Sequence, residues 1–370
     1  MKEAEVRIDV DLLDSFVYDV FRGMGVPADD ARICTDVLLS ADKRGIDTHG
    51  IARLKSIYYD RVVHHRTQNP ITRIDTVQDR AATAVLDGNN GMGMVIAHRA
   101  MELAMRKARQ HGLGMVAVRN SNHYGIAAYY VLMACRQDMI GLTGTNARPS
   151  VAPTHGVENL LGTNPLVFGI PTDEPFPFTN DYAPSIVQRG KIEHYARQRK
   201  PLPEGWVIDR NGRYVTDPEV VLHALGEGNA ALLPVGGRGE QFGGHKGYGF
   251  LTVVELLAAC LSQGAFLEQL SGAVQGRRVP HRIGHFFLAV DISFLTDPED
   301  FKKRAGDILR RLRNSAKAPG AQRIYTCGEK EHLAWQERRR SGIPLLPQTR
   351  SEMITMRDEL GLNHRFPFEG

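Results

Sequence analysis

The chain has 370 residues, of which 42% are apolar and 24% are charged, and its formal net charge is +4. This length suits two or three segments with their own cores. The small net charge argues against a partner that is a nucleic acid. Four cysteines without a CxxC pair or a Cys/His spacing predict free thiols, a reducing compartment and no metal site. They are Cys34, Cys135, Cys260 and Cys327.

Three features of the sequence bear on the location of the protein. The N-terminal stretch MKEAEVRID is charged and lacks an apolar core, so we expect no secretory signal. The most apolar stretch, FLTVVELLAACL, contains Glu255 and is too short to cross a bilayer, which takes about 20 residues. Basic runs at 302–313 and 338–340 are interpreted as solvated helix faces. We therefore predict a cytoplasmic protein without a membrane partner.

The first part of the chain is predicted to be helical. Apolar residues at helical spacing predict a helix over 12–21 and a second from about 27 to 41. A third helix is predicted to begin at an Asp47–Thr48 cap and to continue to about residue 63.

From about residue 75, short β-like runs alternate with helical ones, which predicts an α/β or α+β fold. The β-like runs are ATAVLDG, GMVAVRN, MIGLTGT, PLVFGIP and HFFLAVDI, and helices are predicted near 93–110, 125–137, 298–313, 329–341 and 350–360. Thr349 and Glu352 have the spacing of a capping box. The stretch 199–217 is rich in turn residues and is interpreted as an ordered excursion.

The stretch DTHGIARL places His49 and Arg53 four residues apart. In a regular helix these two side chains lie roughly 40° apart, and Tyr58 lies on the opposite side with the apolar residues. An imidazole exchanges protons near neutral pH, and a guanidinium grips a carboxylate with two hydrogen bonds. The pair therefore suits a small acid with a transferable proton, whereas a solvated helix face is the alternative interpretation.

His123 lies in a polar, glycine-punctuated turn, NSNHYG, between a predicted strand and a predicted helix. Such turns carry ligand-binding groups in α/β folds. The alternative is a histidine that caps the helix or bonds a backbone carbonyl.

Seven glycines fall within 236–249, and Lys246 lies just before a strongly apolar predicted helix. Glycines allow the backbone to approach a phosphate, and a lysine at a helix N-terminus adds positive charge. The spacing is neither a Walker A motif nor a GxGxxG turn. A flexible surface loop is the alternative.

Asp181 ends a short β-like run in FTNDYAPS, and Gly328, Glu329 and Lys330 lie between a predicted strand and a predicted helix. A carboxylate at a strand end can orient an imidazole or hold a sugar hydroxyl. It can equally cap the following helix.

Seven stretches in order resemble the malate/L-lactate dehydrogenase-like oxidoreductase family, over roughly residues 10–345. They are RGIDTHGIARL, LDGNNGMGM, NSNHYGIAAYY, LLGTNPLVFGIP, NDYAPSIVQRGKIE, PLPEGWVID and GGHKGYGF. The resemblance implies a homodimeric enzyme that uses NAD or NADP. It also implies a nucleotide-binding part that is not a Rossmann domain but surrounds a largely antiparallel sheet, with a mostly helical part built from both chain ends. The expected divisions are 1–72 and 299–370 for the helical part and 73–298 for the nucleotide-binding part.

The resemblance also implies roles for individual residues. It makes His123 or His49 the residue that transfers the proton and Arg53 the clamp for a small-molecule carboxylate substrate. The cofactor contacts that it implies are Asp181, Tyr182, Ala183, Lys246, Gly328, Glu329 and Lys330. The chain departs from the family pattern at Thr48, where serine is usual, and at Tyr182 and Pro184, where methionine and threonine are usual.

The function expected from the resemblance is hydride transfer between nicotinamide and a small 2-hydroxy acid or 2-oxo acid. Alternatives are a reductase of a cyclic ketimine or a diketo sugar acid, and an inactive homologue that only binds nucleotide. The substitutions in DYAPS keep the inactive homologue open.

Overall fold

A seven-stranded sheet forms the centre of the protein in the computed structural model, which describes residues 6–369. The strand order is β2-β3-β4-β12-β5-β6-β7. Strands β3 and β4 run parallel, and every other neighbouring pair in this sheet is antiparallel. The predicted mixed fold with a largely antiparallel sheet is therefore confirmed. The strands of the chain are β1 Val6–Ile8, β2 Asp75–Asp79, β3 Thr83–Asp87, β4 Leu113–Ser121, β5 Met139–Thr145, β6 Leu166–Ile170, β7 Phe178–Tyr182, β8 Val207–Asp209, β9 Ala230–Leu232, β10 Ala273–Val274, β11 Arg277–Arg278, β12 Ile283–Asp291 and β13 Ile343–Leu345.

Helices cover both faces of this sheet. Successive side chains of a strand point to opposite faces. On the central strand β12, Phe287 packs in the large core that includes α3 and α4, whereas Phe286 packs against Val254 and Ala258 of α7. The helices are α1 Val10–Gly23, α2 Ala28–Lys43, α3 Gly93–His111, α4 Ala128–Cys135, α5 Arg189–Arg197, α6 Pro218–Glu227, α7 Gly244–Cys260, α8 Pro298–Arg313, α9 Glu329–Ser341 and α10 Pro347–Glu359.

The two ends of the chain meet in a helical region. Strands β1 and β13 pair antiparallel, with Val6 opposite Leu345. Phe16 of α1 and Met353 of α10 lie in the same buried core. The C-terminal segment is therefore available to hold elements of the N-terminal segment.

Two predicted helix starts are wrong. Helix α10 begins at Pro347, and no side chain caps it, so Thr349 and Glu352 form no capping box. Residues 47–50 form a turn, followed by a single 3-10 turn over Ile51–Arg53 and a π-helical segment over Leu54–His64. The predicted third helix therefore does not begin at Asp47.

The four cysteines are free, with Cys34 and Cys135 buried and Cys260 and Cys327 exposed. Within residues 6–369, no helix is both long and apolar enough to cross a membrane. Residues 1–5, which contribute to the expectation that no secretory signal is present, lie outside the described range.

Candidate active site

A buried carboxylate shapes the turn that carries His49. Asp42 of α2 accepts a hydrogen bond from the Ile51 amide at 2.7 Å. A Cβ on Gly50 would lie 2.1 Å from the same carboxylate, so only glycine fits there. Burial raises the pKa of Asp42 to about 8, and the carboxyl group is therefore largely protonated at neutral pH. His49 and Arg53 consequently lie in a locked turn, and their assignment to one face of a regular helix is wrong.

Arg338 of α9 fastens this turn from the other end of the chain. Its Nη2 donates to Asp47 Oδ2 at 3.0 Å, and its Nη1 donates to the Asp42 carbonyl. Arg338 is only 9% exposed. The interpretation of 338–340 as a solvated face is therefore wrong for Arg338, which is buried and connects α9 to this turn.

The turn brings His49 next to His123, although 74 positions separate them in the sequence. The two rings are nearly parallel, with centroids 6.1 Å apart and an interplanar angle of 21°. His123 lies in the loop between β4 and α4, as predicted. Thr48 Oγ1 lies 2.8 Å from His49 Nδ1, so threonine supplies a hydroxyl as serine would.

Tyr58 holds the His123 ring, and sequence analysis missed it. The tyrosine is fully buried, and its hydroxyl lies 2.6 Å from His123 Nδ1. The Gly125 amide donates to the same nitrogen at 3.3 Å. The hydrogen bond from this amide requires an unprotonated Nδ1; when Nδ1 instead carries the proton and donates it to the Tyr58 hydroxyl, Nε2 is unprotonated and can accept a proton from a ligand. Helical spacing could not predict this contact, because it placed Tyr58 opposite His49, among the apolar residues.

Both histidines are neutral at pH 7. Burial and, next, the positive charge of Arg53 lower the pKa of His49 to about 4. Burial lowers the pKa of His123 well below its ordinary value, and His49, Arg61 and Arg53 lower it further. A neutral imidazole can accept a proton, and an imidazolium formed in these surroundings is a strong proton donor.

Arg53 lies between the turn and the start of α5. Its Nε donates to the Thr48 carbonyl at 2.7 Å, and its Nη2 lies 3.6 Å from Glu193 Oε2. A Cβ on Gly190 would lie 3.0 Å from that Nη2, so α5 approaches the guanidinium closely. The side chain of Arg53 keeps 25% of its surface exposed. It can therefore still reach a carboxylate.

Asp181 at the end of β7 has two roles in the structure. Its Oδ2 accepts from the Ala128 amide at 2.9 Å, so it caps α4 and not the helix that follows it. It also lines a cavity of about 280 Å³ together with Gly328 and Lys330. Protein surrounds the carboxylate on most sides although the cavity keeps it accessible. Burial raises its pKa to about 6.

Tyr182 points away from Asp181, because neighbouring residues of a strand face opposite sides. It lines a second cavity, of about 590 Å³, together with Lys246. Lys246 lies inside the first turn of α7, a correction to its predicted place before the helix. Ala183 follows directly on β7. The predicted cofactor residues thus form two groups, one on each side of β7.

The glycines around Lys246 allow the loop to fold tightly on itself. A Cβ on Gly236, which has a φ of +92°, would lie 2.3 Å from the carbonyl carbon of Gly243. A Cβ on Gly244 would lie 2.0 Å from the Gly237 oxygen. These contacts give a compact loop at the N-terminus of α7 and argue against the flexible-loop alternative.

Glu329 has a different environment from its two neighbours. It is 3% exposed, pairs with Arg323, and accepts from the Thr326 amide at 3.2 Å. Its carboxylate therefore fixes the turn before α9, whereas Gly328 and Lys330 line the smaller cavity.

Comparison with protein families gives one match that covers most of the chain. Residues 8–354 match the family model described as malate/L-lactate dehydrogenase. The chain is 42% identical to a malate dehydrogenase of Pyrococcus abyssi, with 97% of this chain and 96% of the relative covered. It is 37% identical to an L-sulfolactate dehydrogenase of Methanocaldococcus jannaschii, with 94% and 95% covered.

A solved structure gives the same result. The crystal structure of a malate dehydrogenase from Entamoeba histolytica superposes with a TM-score of 0.94 at 41% sequence identity. The superposition covers 97% of this chain and 99% of that chain. The overall fold is therefore shared with that malate dehydrogenase.

Proposed function

We infer the reaction from one premise and one arrangement: the chain belongs to the malate/L-lactate dehydrogenase family, and its His49 and His123 rings face each other beside Arg53. It is an oxidoreductase that acts on the hydroxyl group of a 2-hydroxy acid. A nicotinamide cofactor supplies the hydride acceptor or donor when it is bound. The residues of this chain supply the proton transfer, the carboxylate clamp and the cofactor pocket.

The proposed proton-transfer residue is His123, acting through Nε2. The Tyr58 hydroxyl can accept from a protonated Nδ1, and this holds the ring with an unprotonated Nε2, which a general base requires. In oxidation, the neutral imidazole takes the hydroxyl proton of the substrate. In reduction, the imidazolium returns a proton to the oxygen of the 2-oxo acid. His49 is proposed to lie on the opposite side of the substrate and to bind its oxygen atoms.

Arg53 is proposed to bind the substrate carboxylate next to the reacting carbon. Its Nε donates to the Thr48 carbonyl, next to His49 in the sequence, and this supports a reach toward the same small ligand. Glu193 partly balances its charge before a substrate enters. A bidentate pair with a carboxylate would replace that weaker contact.

The residues present fit a nicotinamide cofactor. Lys246 and the glycine-built N-terminus of α7 form a positive rim on one cavity, which suits a phosphate. Asp181, Gly328 and Lys330 line the other cavity and are proposed to contact a further part of the cofactor. Tyr182 and Ala183 are proposed to contact it where the two cavities border β7. The cofactor is NAD or NADP, and titrations with NADH and NADPH on one preparation decide between them.

A second copy of this chain is proposed to cover the outer face of α7. This face exposes Phe250, Val253 and Leu256, which are 49%, 46% and 54% exposed and recur every three residues. A row of apolar side chains of this kind marks an interaction surface. Sedimentation of the chain and of Leu256→Glu tests the homodimer, which the charge should dissociate. The four free cysteines support a reducing compartment such as the cytoplasm.

The observation that carries the proposal is the His49–His123 pair with Tyr58 on Nδ1. We expect His123→Ala to lower kcat by about 10²- to 10⁴-fold, as expected for the loss of a general base. Cofactor affinity, measured by fluorescence titration of NADH, should stay within about twofold. His49→Ala is the matched variant, and it should raise the KM for the 2-oxo acid more than it lowers kcat. If His49→Ala gives the larger loss in kcat, the two roles are exchanged.

A further inference from the structure

Arg338 holds the turn that carries His49, and the mechanism above gives it no part in binding or catalysis. Its guanidinium donates to Asp47 Oδ2 at 3.0 Å and to the Asp42 carbonyl. It is 9% exposed, whereas the next two residues of α9 are exposed to solvent. Burial of a cation costs free energy even when the cation is paired, so these contacts indicate a role other than solubility. Residues 44–50, between α2 and the 3-10 turn, are called the catalytic turn below.

One face of α9 follows the catalytic turn over two helical turns. Glu331 lines the cavity of about 280 Å³ together with Ile46. Ala334 packs on Gly45, where an added Cβ would lie 3.1 Å from the Ala334 Cβ. Arg338 then makes the hydrogen bonds described above. Steps of three and four residues place these side chains on one face of a helix, so the contact runs along α9 and is not confined to Arg338.

The cavity lies between the catalytic turn and the first turn of α9. Arg44 and Ile46 line it from the catalytic turn. Gly328 and Lys330 line it from the start of the helix. A cofactor held there, as proposed above, would contact both segments. Lys330 and Arg338 are about 12 Å apart along the helix axis, so the cavity and the hydrogen bonds to the turn lie at two ends of one short, rigid element.

The start of α9 is anchored on β7, the strand that carries Asp181 into the same cavity. The Thr179 amide of β7 donates to the Cys327 carbonyl at 3.3 Å. A Cβ on Gly328, which has a φ of +92°, would lie 2.7 Å from the Pro177 carbonyl oxygen. The helix therefore has a fixed seat at its cavity end, and Arg338 supplies the attachment at the other end.

We propose that α9 couples the cofactor cavity to the catalytic turn and that Arg338 is the positioning residue of this coupling. A cofactor in contact with Gly328 and Lys330 would restrict the motion of α9. The hydrogen bonds from Arg338 to Asp47 would extend that restriction to His49. The 2-oxo acid would then meet a preorganised turn when the cofactor is already bound. This inference rests on the proposed function, because it concerns the same site.

The kinetic test removes each side of the pair. Arg338→Met keeps an apolar stem and removes the guanidinium, whereas Asp47→Ala removes its partner, half of whose side chain is exposed. In each variant, the KM for the 2-oxo acid, measured with oxaloacetate and with pyruvate, should rise by about 2- to 30-fold, the range for residues that act on a site through others. The double variant should resemble Arg338→Met, because both changes break one link.

Arg340→Ala is the matched control, because Arg340 is exposed in the last turn of the same helix. Its KM for the 2-oxo acid should equal that of the wild type. Arg338→Lys keeps the charge but not the two-donor fork, so its KM should lie between those of the wild type and Arg338→Met. A lower melting temperature of Arg338→Met with an unchanged KM is what a purely structural role would give, and this result would overturn the inference.

Hydrogen–deuterium exchange gives a readout that needs no turnover. Saturating NADH, or NADPH where it binds more tightly, is added, and amide exchange is followed by mass spectrometry. In the wild type, the cofactor should slow exchange both at 328–331 and at 47–53. In Arg338→Met and Asp47→Ala, the slowing at 328–331 should remain, and the slowing at 47–53 should be largely lost.

The outcomes separate the two proposals. If no 2-oxo acid is reduced, the proposed function fails, and the exchange data still decide whether α9 couples the two segments. Equal slowing at 47–53 in Arg338→Met and in the wild type would show that the turn responds without α9, and would overturn the inference. No slowing at 47–53 in the wild type would overturn it as well. Slowing at neither segment would place the cofactor elsewhere, and would overturn both the cavity assignment and the inference.

Discussion

The substitution Tyr58→Phe isolates the hydrogen bond that orients His123. The ring should stay in place, because it is fully buried and packs edge-on against Phe21, with ring centroids 6.1 Å apart. The hydroxyl that lies 2.6 Å from Nδ1 is lost, whereas the Gly125 amide at 3.3 Å remains. In the tautomer with an unprotonated Nε2, the protonated Nδ1 thus loses its acceptor, because the Gly125 amide can only donate.

The expected loss follows from the strength of that bond. A neutral hydrogen bond contributes about 0.5–1.5 kcal/mol, which corresponds to about 2- to 12-fold in rate. Because Tyr58 contacts the imidazole, kcat should fall by this factor. The KM for the 2-oxo acid should stay nearly constant, since we place Arg53 and not Tyr58 against the substrate.

The control is Tyr59→Phe. Tyr59 is the next residue and is also buried, but its hydroxyl donates to Glu359 at 2.7 Å and not to His49 or His123. Both variants lose one buried hydroxyl, so their melting temperatures should fall by similar amounts. Steady-state assays should show the kcat loss in Tyr58→Phe alone. An unchanged kcat in Tyr58→Phe, or an equal loss in Tyr59→Phe, would refute the positioning role of Tyr58.

Three further predictions concern the clamp, the helix cap and acid stability. Arg53→Ala should raise the KM for the 2-oxo acid by about 10- to 150-fold. Arg53→Lys should raise this KM almost as much, because lysine cannot form the bidentate pair. Initial rates over a range of 2-oxo acid concentrations give both KM values. Asp181→Ala should lower the free energy of unfolding by about 0.5–2 kcal/mol through loss of the α4 cap, whereas Asp181→Asn, which keeps an acceptor for the Ala128 amide, should lose much less in urea titrations. Burial lowers the pKa of His285 to about 3. Below about pH 6.5 this histidine therefore binds a proton in the unfolded chain but stays neutral in the native state. As the pH is lowered from about 6.5 to about 3, the free energy of unfolding should therefore decrease by up to about 1.4 kcal/mol per pH unit for this residue. The slope should be shallower in His285→Gln, and equal slopes would count against the lowered pKa.

Patterns within one element were predicted well. The helix over 298–313 and the strand in GMVAVRN depend on local periodicity, and their observed bounds agree closely with the prediction. The loop position of His123 follows from the same local pattern. The resemblance to the family was confirmed because seven short motifs in a fixed order are far more specific than any one of them.

The turn at 47–53 could not be read from local sequence, because distant residues determine it. Asp42 occupies the space beside Gly50, and Arg338 arrives from the C-terminal part of the chain. The Asp47–Thr48 pair has the composition of a helix cap, and tertiary contacts override that preference. Glu329 shows the same limit: its neighbours line a cavity, but its own carboxylate is held by Arg323.

The electrostatics of the site link the binding of an anionic substrate to the protonation of His123. His49 and His123 are neutral because they are buried among arginines, and an anionic substrate would offset those same arginines. Binding of a 2-oxo acid would therefore raise the pKa of His123 and favour the imidazolium that reduction requires. Release of the anion would restore the neutral base from which oxidation starts. Tyr58 then matters in both directions, since its hydroxyl can accept from Nδ1–H both in the imidazolium and in the neutral ring that has lost the Nε2 proton. The cationic surroundings that keep the free histidines neutral are thus the means by which substrate charge would control the proton.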